Sequence, residues 1–390
     1  MIAYPAFCTS SDVQYSMAEF LYIHIPFCIR KCAYCDFLSY PYEHDLAERY
    51  TRALCRELEM KKNFATELKA VFVGGGTPAI LPETCLEQLF SVIREQYRIS
   101  ADAEVTVETN PGTVTAEKAD VLLSLGVNRV SLGVQSFSDD ELKVLGRVHT
   151  AGEAARSAEM LLRAGVKNLS LDLMYGIPGQ TIGTWKDSLS TAISLSPQHI
   201  SAYELSTERG TRFTMLVDAG FLDMQDEEDI LLMSSLAIDT LAAAGFEHYE
   251  ISNYALSGFR CIHNMNYWDR GEYLAAGAGA HGFLDGCRTK NTDSLSDYIA
   301  KLDDHVIPEI DSVPLSRAEK IREFIMLGLR QREGIRLIDA DNLNLDITTA
   351  AKQLIEDAFT EISTDRLRLT RKGLAVANTV IIRLFQNLDV

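Results

Sequence analysis

Short apolar runs alternate with longer amphipathic stretches between residues 21 and 205. Short, nearly continuous apolar runs are typical of strands buried on both faces, and apolar residues spaced three and four apart are typical of helices. The strands predicted in this way lie at residues 21–25, 70–74, 104–109, 129–134, 168–174 and 199–205. The predicted helices lie at residues 45–62, 83–96, 116–125, 139–145 continuing in 152–164, and 182–195. Six alternating units indicate a parallel sheet with helices on its outside, which forms a barrel or part of one.

The segments on either side of this region have weaker patterns. Residues 1–20 show no periodicity and are predicted to be a leader that packs loosely or not at all. Residues 211–314 are predicted to complete the barrel of residues 21–210. They begin with two helices, the second of which spans 227–244 and starts with acidic residues, as the helix dipole favours. A separate C-terminal domain is predicted at residues 315–390.

The C-terminal domain resembles a small, mostly helical winged-helix domain. Its predicted elements are helices at 317–329 and 348–358, a short strand at 367–370 and a final amphipathic helix. A winged-helix fold suggests that the domain binds nucleic acid. This domain, however, carries 12 lysines and arginines against 11 aspartates and glutamates, with one basic cluster at 366–372. A near-neutral charge favours packing against the barrel over binding to nucleic acid.

The composition is that of a globular protein with a large core, since 47% of the 390 residues are hydrophobic. The net charge of −18 opposes non-specific attraction to nucleic acid and to anionic lipid. No stretch approaches the roughly 18 uncharged apolar residues of a membrane span, and the leader lacks the basic and apolar regions of a signal peptide. We therefore expect a cytoplasmic protein whose cysteines are reduced.

The segment 21–37 reads LYIHIPFCIRKCAYCDF and places Cys28, Cys32 and Cys35 in the loop after the first strand. Thiolate sulfur prefers soft centres such as zinc, copper(I) and iron–sulfur clusters. A closed structural zinc site needs a fourth ligand, and the next cysteine along the chain, Cys55, lies inside a predicted helix. The spacing alone leaves three alternatives: an iron–sulfur cluster, a zinc site and three reduced thiols.

Polar and glycine-rich residues gather at the ends of the other predicted strands. The turn at 74–78 reads GGGTP and follows the second strand, and Glu108 ends the third. Gln135 and Arg147 follow the fourth strand, and Asp172 lies within the fifth. Active sites of parallel α/β barrels lie at the carboxyl ends of the strands, so we predict one shared cavity for these residues.

The cysteine spacing, with Tyr34 directly before the third cysteine, resembles the motif of the radical S-adenosylmethionine (SAM) family. The resemblance implies a partial (β/α)6 barrel and a [4Fe-4S] cluster held by the three cysteines, with one iron open to SAM. It also implies a glycine turn that binds the SAM amino group, a carboxylate that binds the ribose and a guanidinium that binds the methionine carboxylate. The residues that match this SAM pocket are Tyr22, Tyr34, Gly75, Gly76, Thr77, Glu108, Gln135, Arg147 and Asp172. His24 is assigned no role beyond a hydrogen bond that fixes the loop.

The sequences HIPFC, GGGTP, ETNP and GVQSF occur in an order that resembles one branch of this family. The branch contains oxygen-independent coproporphyrinogen III dehydrogenases, which convert propionate side chains to vinyl groups, and a group of heme chaperones. The dehydrogenases have a longer N-terminal arm and a further cysteine where this chain has Phe37. The chaperones have an HNxxYW motif, which is present here at residues 263–268. The resemblance therefore implies a heme chaperone that retains the cluster and the SAM site and passes heme to a membrane hemoprotein. The alternative is the dehydrogenase.

His263, the first residue of the HNxxYW motif, has two interpretations. Histidine is a common axial ligand of heme iron, and the aromatic residues beside it offer flat apolar surface to a porphyrin. Alternatively, it is a buried, hydrogen-bonded loop histidine. A small-residue run at 275–282 is predicted to let the backbone approach a ligand closely. The sequence assigns no catalytic residue and leaves open whether the chain forms a homodimer or contacts the membrane transiently.

Overall fold

The structure is a computed structural model that describes residues 17–390, so residues 1–16 of the predicted leader lie outside the described part of the chain. The strands, in chain order, are β1 (Ala18–Ile25), β2 (Phe27–Cys28), β3 (Tyr40–Pro41), β4 (Ala65–Gly75), β5 (Arg98–Thr109), β6 (Arg129–Gln135), β7 (Leu169–Tyr175), β8 (His199–Glu204), β9 (Glu247–His248), β10 (Asn253–Ala255), β11 (Leu274–Ala276), β12 (His281–Leu284), β13 (Cys287–Asn291), β14 (Glu309–Pro314), β15 (Ile335–Arg336), β16 (Thr360–Ser363) and β17 (Arg366–Leu369).

The helices, in chain order, are α1 (His44–Lys61), α2 (Glu83–Gln96), α3 (Ala116–Ser124), α4 (Asp139–Leu145), α5 (Ala151–Ala164), α6 (Ile182–Ser194), α7 (Arg212–Asp218), α8 (Glu227–Ala243), α9 (Ile262–Trp268), α10 (Leu295–Asp303), α11 (Arg317–Gly328), α12 (Leu337–Asn342), α13 (Ile347–Ala350), α14 (Lys352–Glu356), α15 (Arg371–Leu374) and α16 (Ala377–Asn387). Within residues 17–390, no helix combines the length and the apolar character needed to cross a membrane.

The central element of the fold is a nine-stranded sheet in the order β11-β1-β4-β5-β6-β7-β8-β10-β9. All neighbouring pairs from β11 to β8 are parallel, whereas β10 and β9 add antiparallel strands at one edge. The predicted six-stranded partial barrel is thereby confirmed, with β1 and β4 to β8 in chain order. β4 and β5 begin earlier than predicted, because their first residues are largely polar and partly exposed and so lack an apolar run.

β11 comes from the small-residue run that is predicted to approach a ligand. It pairs in parallel with β1, with Ala275 opposite Tyr22. Gly277, two residues after Ala275, has a φ of +109°. A Cβ atom on it would lie 2.4 Å from the His24 carbonyl oxygen. The close backbone approach is therefore present, but it serves the contact between this run and the protein's own first strand.

The C-terminal part of the chain has its own hydrophobic core, which packs around a three-stranded sheet in the order β15-β17-β16. The single helix predicted at 348–358 is instead two short helices, α13 and α14, on either side of Ala351. The basic cluster contacts the barrel, as expected: the Arg371 guanidinium donates to the Asp239 carboxylate on α8 at 2.7 Å. The basic cluster therefore makes a contact within the protein through Arg371.

The segment between α4 and α5 is short and held at both ends. α4 ends at Gly146, whose φ of 73° is left-handed, and α5 begins with a reciprocal capping box between Thr150 and Glu153. Arg147 and His149 lie in this segment. Their backbone positions are therefore fixed by the two helix ends.

A buried charged network joins α1 to the elements beyond β11. Lys61 Nζ lies 2.7 Å from Glu57 Oε1 and 3.1 Å from Glu309 Oε1. Asn291 Nδ2 and the Tyr298 hydroxyl also donate hydrogen bonds to Glu57. Burial opposes the charge on Lys61, but the two carboxylates outweigh it and raise its pKa to about 12. Glu57 is the shared acceptor of this network, so its loss removes a buried hydrogen-bond partner from Lys61, Asn291 and Tyr298 at once.

Glu57→Leu is expected to lower the free energy of unfolding by about 3–5 kcal/mol, because it removes the acceptor on which Lys61 and its neighbours depend. Urea unfolding of the metal-free protein, followed by circular dichroism, measures the change. Glu59→Leu is the matched control, since Glu59 is exposed on the same helix. Equal stability of the two variants would show that the network contributes little to folding.

Candidate functional site

A cavity of about 690 Å³ opens at the carboxyl ends of the barrel strands. The predicted residues that line it are Cys28, Cys32, Tyr34, Cys35, Gly75, Gly76, Thr77, Glu108, Gln135, Arg147 and Asp172. The fold therefore brings the cysteine loop and the polar strand ends together in one place. Tyr22 and His263 are not among the residues of the described chain that line this cavity.

The loop that carries the cysteines is tied to the barrel at its ends and in its middle. The ends pair as the parallel strands β2 and β3, where Tyr40 N donates to Pro26 O at 2.7 Å. In the middle, Ala33 N donates to Leu145 O at 3.2 Å, and Phe213 N donates to Ala33 O at 2.8 Å. The loop is thus held between the end of α4 and the start of α7, and the cysteines have defined positions.

The surroundings of the cysteines suit thiolates that bind a metal centre. Burial raises the pKa of the Cys28 thiol and raises that of Cys35 to about 11, so the charged form needs a positive partner. Thr77 Oγ1 lies 3.8 Å from Cys28 Sγ, and Arg147 Nη1 lies 3.3 Å from Cys32 Sγ. Both groups donate hydrogen bonds to sulfur and would stabilise its negative charge when a metal is bound.

The three loop cysteines supply the thiolate donors that a [4Fe-4S] cluster takes. Within residues 17–390, no three histidine, cysteine, aspartate or glutamate side chains are grouped so that they could hold one metal ion. In a [4Fe-4S] cluster each cysteine binds a different iron, so the sulfurs surround the cluster and do not converge on one atom. Three cysteines on one anchored loop, all lining the same cavity, fit that demand.

The glycine turn after β4 packs directly against the first strand and the cysteine loop. A Cβ atom on Gly75 would lie 2.5 Å from the His24 ring, and one on Gly76 would lie 2.5 Å from Phe27 O. The N–H groups of Gly76 and Thr77 already donate to backbone carbonyls. Packing within the protein therefore requires these glycines. Toward a ligand the turn can offer carbonyl oxygens, which suit an ammonium group because it donates hydrogen bonds.

Two carboxylates, Glu108 and Asp172, line the cavity. Glu108 Oε2 accepts a hydrogen bond from Gly75 N at 2.9 Å, whereas Asp172 accepts from the hydroxyls of Ser131 at 3.1 Å and Ser170 at 3.4 Å. Burial raises the pKa of Glu108 to about 7, against the effect of the Gly75 N–H, and it also raises the pKa of Asp172. Carboxylate oxygens can accept further hydrogen bonds, so this wall of the cavity can receive the hydroxyl or ammonium donors of a ligand such as SAM.

Arg147 links the cysteine loop to the ends of two strands. Besides its contact with Cys32, its Nη2 donates to Gly133 O at 2.6 Å and to the side-chain oxygen of Asn110. Asn110 in turn donates to Thr77 Oγ1 at 2.8 Å. Asn110 is missing from the predicted set, although its place in the ETNP sequence at a strand end is a signal that could have identified it.

Gln135 is held in an unusual backbone conformation at the end of β6. Its φ of 69° is left-handed, which is rare for a residue other than glycine, and the register between β6 and β7 shifts at this point. The Tyr203 hydroxyl donates to Gln135 Oε1 at 2.6 Å and lines the same cavity. Strained backbone of this kind clusters at ligand sites. Tyr203 is a second residue missing from the predicted set, although it lies near the end of the sixth predicted strand and so shares the strand-end signal of the others.

His149 offers the cavity a neutral imidazole. Its Nε2 lies 3.1 Å from Val134 O, while its buried Nδ1 has no hydrogen-bond partner within the described chain. Burial and the nearby Arg147 lower the pKa of His149 to about 4. Because Nε2 donates its proton to the carbonyl, Nδ1 is left as an acceptor on a residue that lines the cavity.

Tyr22 and His24 interact with each other on β1. The Tyr22 hydroxyl lies 2.9 Å from His24 Nδ1, and His24 Nε2 lies 3.1 Å from Leu38 O at the far end of the cysteine loop. His24 thus makes the loop-fixing hydrogen bond expected of it. Tyr22 supports that histidine and lies outside the lining of the cavity.

His263 lies inside an aromatic cluster and is only 1% exposed. Its ring is 5.2 Å from that of Phe72, and its Nε2 lies 2.8 Å from the Tyr267 hydroxyl. Burial lowers the pKa of His263 to about 3, so the ring is neutral. This conformation matches the buried, hydrogen-bonded alternative and leaves no face of the ring open to heme. The next residue, Asn264, lines the cavity instead.

Comparisons with known proteins agree with this geometry. The sequence pattern of the radical SAM superfamily matches residues 22–192, and that of the HemN C-terminal domain matches residues 315–376. Among solved structures, coproporphyrinogen III oxidase HemN from Escherichia coli superposes with a TM-score of 0.81, covering 94% of this chain and 90% of that chain at 19% identity. At that identity the likeness shows a shared fold.

Several relatives are similar over most of their length. The chain is 37% identical to the heme chaperone HemW of Bacillus subtilis, covering 92% of this chain and 97% of the relative. It is 34% identical to HemW of Mycobacterium tuberculosis, covering 93% of both chains. HemW of Escherichia coli is 40% identical, covering 68% of this chain and 71% of the relative. The chain therefore belongs to the radical SAM superfamily and, within it, to the HemW family.

Proposed function

We propose that this protein is a heme chaperone that binds heme and passes it to a membrane hemoprotein while retaining a [4Fe-4S] cluster and a SAM site. The observation that carries the proposal is the identity of 34–37% to proteins named heme chaperone HemW over more than nine tenths of the chain. We place the protein in the cytoplasm, with transient contact at the membrane when heme is delivered.

The cavity residues have defined places in this proposal. Cys28, Cys32 and Cys35 would hold the cluster, whose remaining iron would be open to SAM. Bound there, SAM supplies one-electron radical chemistry. The other cavity residues bind, orient and enclose the ligand.

Individual groups of SAM can be assigned to individual residues. Arg147 would bind the methionine carboxylate, and Glu108 would accept hydrogen bonds from the ribose hydroxyls. The carbonyl oxygens of the Gly75–Gly76 turn would accept from the amino group. Lining residues that complete this pocket are Tyr34, Thr77, Gln135 and Asp172. Tyr22 acts on the pocket indirectly, through His24.

Glu108 should make SAM binding depend on pH. Its pKa is raised to about 7 mainly by burial, and ribose hydroxyls bind the ionised carboxylate better than the neutral acid. SAM affinity is therefore expected to rise by up to about tenfold from pH 6 to pH 8, where the carboxylate becomes charged. Glu108→Gln should bind weakly and lack this rise. The SAM amino group also titrates near pH 8, so the ratio of wild-type to variant affinity is the quantity to measure by equilibrium dialysis. A constant ratio across the range would contradict the assignment.

The competing function is that of an oxygen-independent coproporphyrinogen III dehydrogenase. Phe37 stands where those enzymes carry a further cysteine, and its side chain is exposed to solvent. We therefore propose that the chain lacks this activity. His263 would contact heme only if the aromatic cluster around it opens, since its ring is closed off in this conformation.

One anaerobic experiment tests the proposal. The cluster-reconstituted protein is titrated with heme and followed by visible absorption, and the same sample is then given coproporphyrinogen III, SAM and reductant. Stoichiometric heme uptake without vinyl product supports the chaperone. Protoporphyrinogen formation with weak heme binding would overturn it. His263→Ala in the same titration shows whether the aromatic cluster takes part, because unchanged affinity would remove His263 from the heme site.

A further inference from the structure

Exposed apolar side chains surround the mouth of the cavity. Ile29, Phe37 and Val148 are 59%, 61% and 57% exposed, and all three line the cavity. Ile29 and Phe37 flank the cysteines on their loop, and Val148 follows Arg147, which contacts Cys32. We call these three residues the apolar rim.

The exposure of the rim is not explained by a loose loop. The cysteine loop is anchored through Ala33 and through the pairing of β2 with β3, and Val148 lies between two fixed helix ends. A single exposed hydrophobic residue needs no explanation, but three that border one cavity on rigid backbone indicate a binding surface. Covering such side chains with an apolar ligand removes them from water and so favours binding.

Charges of both signs lie at the mouth, and two cations adjoin the rim residue Ile29. Arg30 and Lys31 are exposed, line the cavity and lie next to Ile29 in the chain. Lys31 Nζ donates to Phe37 O at 3.1 Å, which places a cation beside the second rim residue. Carboxylates also line the mouth, among them Asp36 beside Phe37 and Glu208, and the whole chain has a net charge of −18, which leaves Arg30 and Lys31 as the exposed cations of the cysteine loop. An anionic group that reaches the mouth is therefore directed to Arg30 and Lys31.

We propose that the apolar rim and its two cations form the docking site for the tetrapyrrole, an inference that rests on the proposed heme-chaperone function. The macrocycle is a flat apolar plate with two carboxylates on one edge. The plate covers Ile29, Phe37 and Val148, and the propionates reach Arg30 and Lys31. The cavity interior, with a volume usual for one small ligand, is left to the SAM site, so the cargo lies at its mouth.

Other occupants fit the mouth less well. Lipid surfaces are bound by clusters of about four to eight basic residues, whereas in the described part of the chain the exposed cations that adjoin this rim are Arg30 and Lys31. A nucleic acid would be repelled by the acidic margin and by the overall charge. A tetrapyrrole needs only a small apolar area and two positive charges, which is what the rim provides.

The test compares heme affinity in reconstituted proteins by absorption titration. The rim variant is Ile29→Ser with Phe37→Ser, and it is expected to bind heme about tenfold or more weakly than the wild type. The matched control is Ile338→Ser with Ile382→Ser, two exposed hydrophobic residues on α12 and α16 that do not line the cavity. The control should bind within twofold of the wild type.

The cations are tested with heme dimethyl ester, which lacks the two negative charges. The wild type should bind heme more tightly than the diester, and Arg30→Gln with Lys31→Gln should bind both equally. Iron content and SAM affinity are measured on every variant to show that the cluster loop is intact. If the loop variants lose iron, the rim is tested with Val148→Asp instead, because Val148 lies outside the cysteine loop.

The outcomes separate this inference from the function on which it rests. A wild type that does not bind heme overturns the chaperone proposal. A wild type that binds heme tightly, with all rim variants unchanged, overturns the docking site and leaves the chaperone proposal standing. Loss of binding to anionic phospholipid vesicles in the rim variants, with heme affinity unchanged, would assign the rim to a membrane surface instead.

Discussion

Cys32→Ser is expected to abolish the iron–sulfur cluster. Only three protein thiolates are available in the loop, so the cluster has no spare ligand when one is removed. A serine hydroxyl stays protonated near neutral pH and is a harder ligand that binds iron–sulfur clusters poorly. After anaerobic reconstitution, the wild type should hold about four iron atoms per chain, and the variant should fall to background in iron and sulfide assays and in visible absorption.

Cys287→Ser is the control for this loss. Cys287 is half-buried, as the three loop cysteines are, but it lies on β13 and does not line the cavity. It should retain the full iron content. A Cys32→Ser protein that keeps an intact cluster would mean that a different residue completes the site, and the cluster assignment would have to be rebuilt.

The barrel could be predicted from the sequence because its signals are local. Strands buried on both faces, such as the second half of β4, appear as apolar runs, and amphipathic helices such as α5 show their own period. The chain order then sets the strand order, since parallel neighbours are joined through helices. Elements without a local period could not be predicted from the sequence. β11 has three residues, and its pairing with β1 joins segments more than 240 residues apart in the sequence.

Most of the cavity residues could also be predicted, because their positions follow from the order and direction of the strands. The residues at the ends of β4, β5 and β6 meet because parallel strands end on the same side of the sheet. What the sequence could not decide is where a side chain points when it lies outside a regular strand. In α9 the turn of the helix buries His263 and directs Asn264 to the cavity, and both are equally plausible ligands in the sequence.

Contacts between side chains from distant parts of the chain were the hardest feature to predict from the sequence. Glu57 and Lys61 look like an ordinary surface pair at helical spacing, yet they are buried and joined to Asn291 and Tyr298 more than 230 residues away. Asn110 matters because it connects Arg147 to Thr77, and that role depends on three separate segments meeting. Contacts of this kind follow from the fold and leave no pattern in the sequence.

Arg147→Leu is expected to weaken SAM binding by about 100-fold or more. Charge-assisted hydrogen bonds contribute about 1.5–3 kcal/mol each, and the change removes the guanidinium assigned to the methionine carboxylate. The same change frees Asn110 and removes the donor to Cys32. Leucine cannot replace either contact, so the pocket loses its anion-binding group and part of its connection to the cysteine loop. Equilibrium dialysis of reconstituted protein with SAM, at matched iron content, measures the loss.

Two further variants show whether the effect comes from the guanidinium itself. Arg163→Leu removes an exposed arginine from the end of α5 and should bind SAM as the wild type does. Arg147→Lys keeps the positive charge but not the fork that reaches both the carboxylate and Asn110, so its affinity should lie between those of the wild type and the leucine variant. If the lysine and leucine variants both bind SAM like the wild type, the methionine carboxylate is held elsewhere, and Arg147 serves only to anchor the cysteine loop.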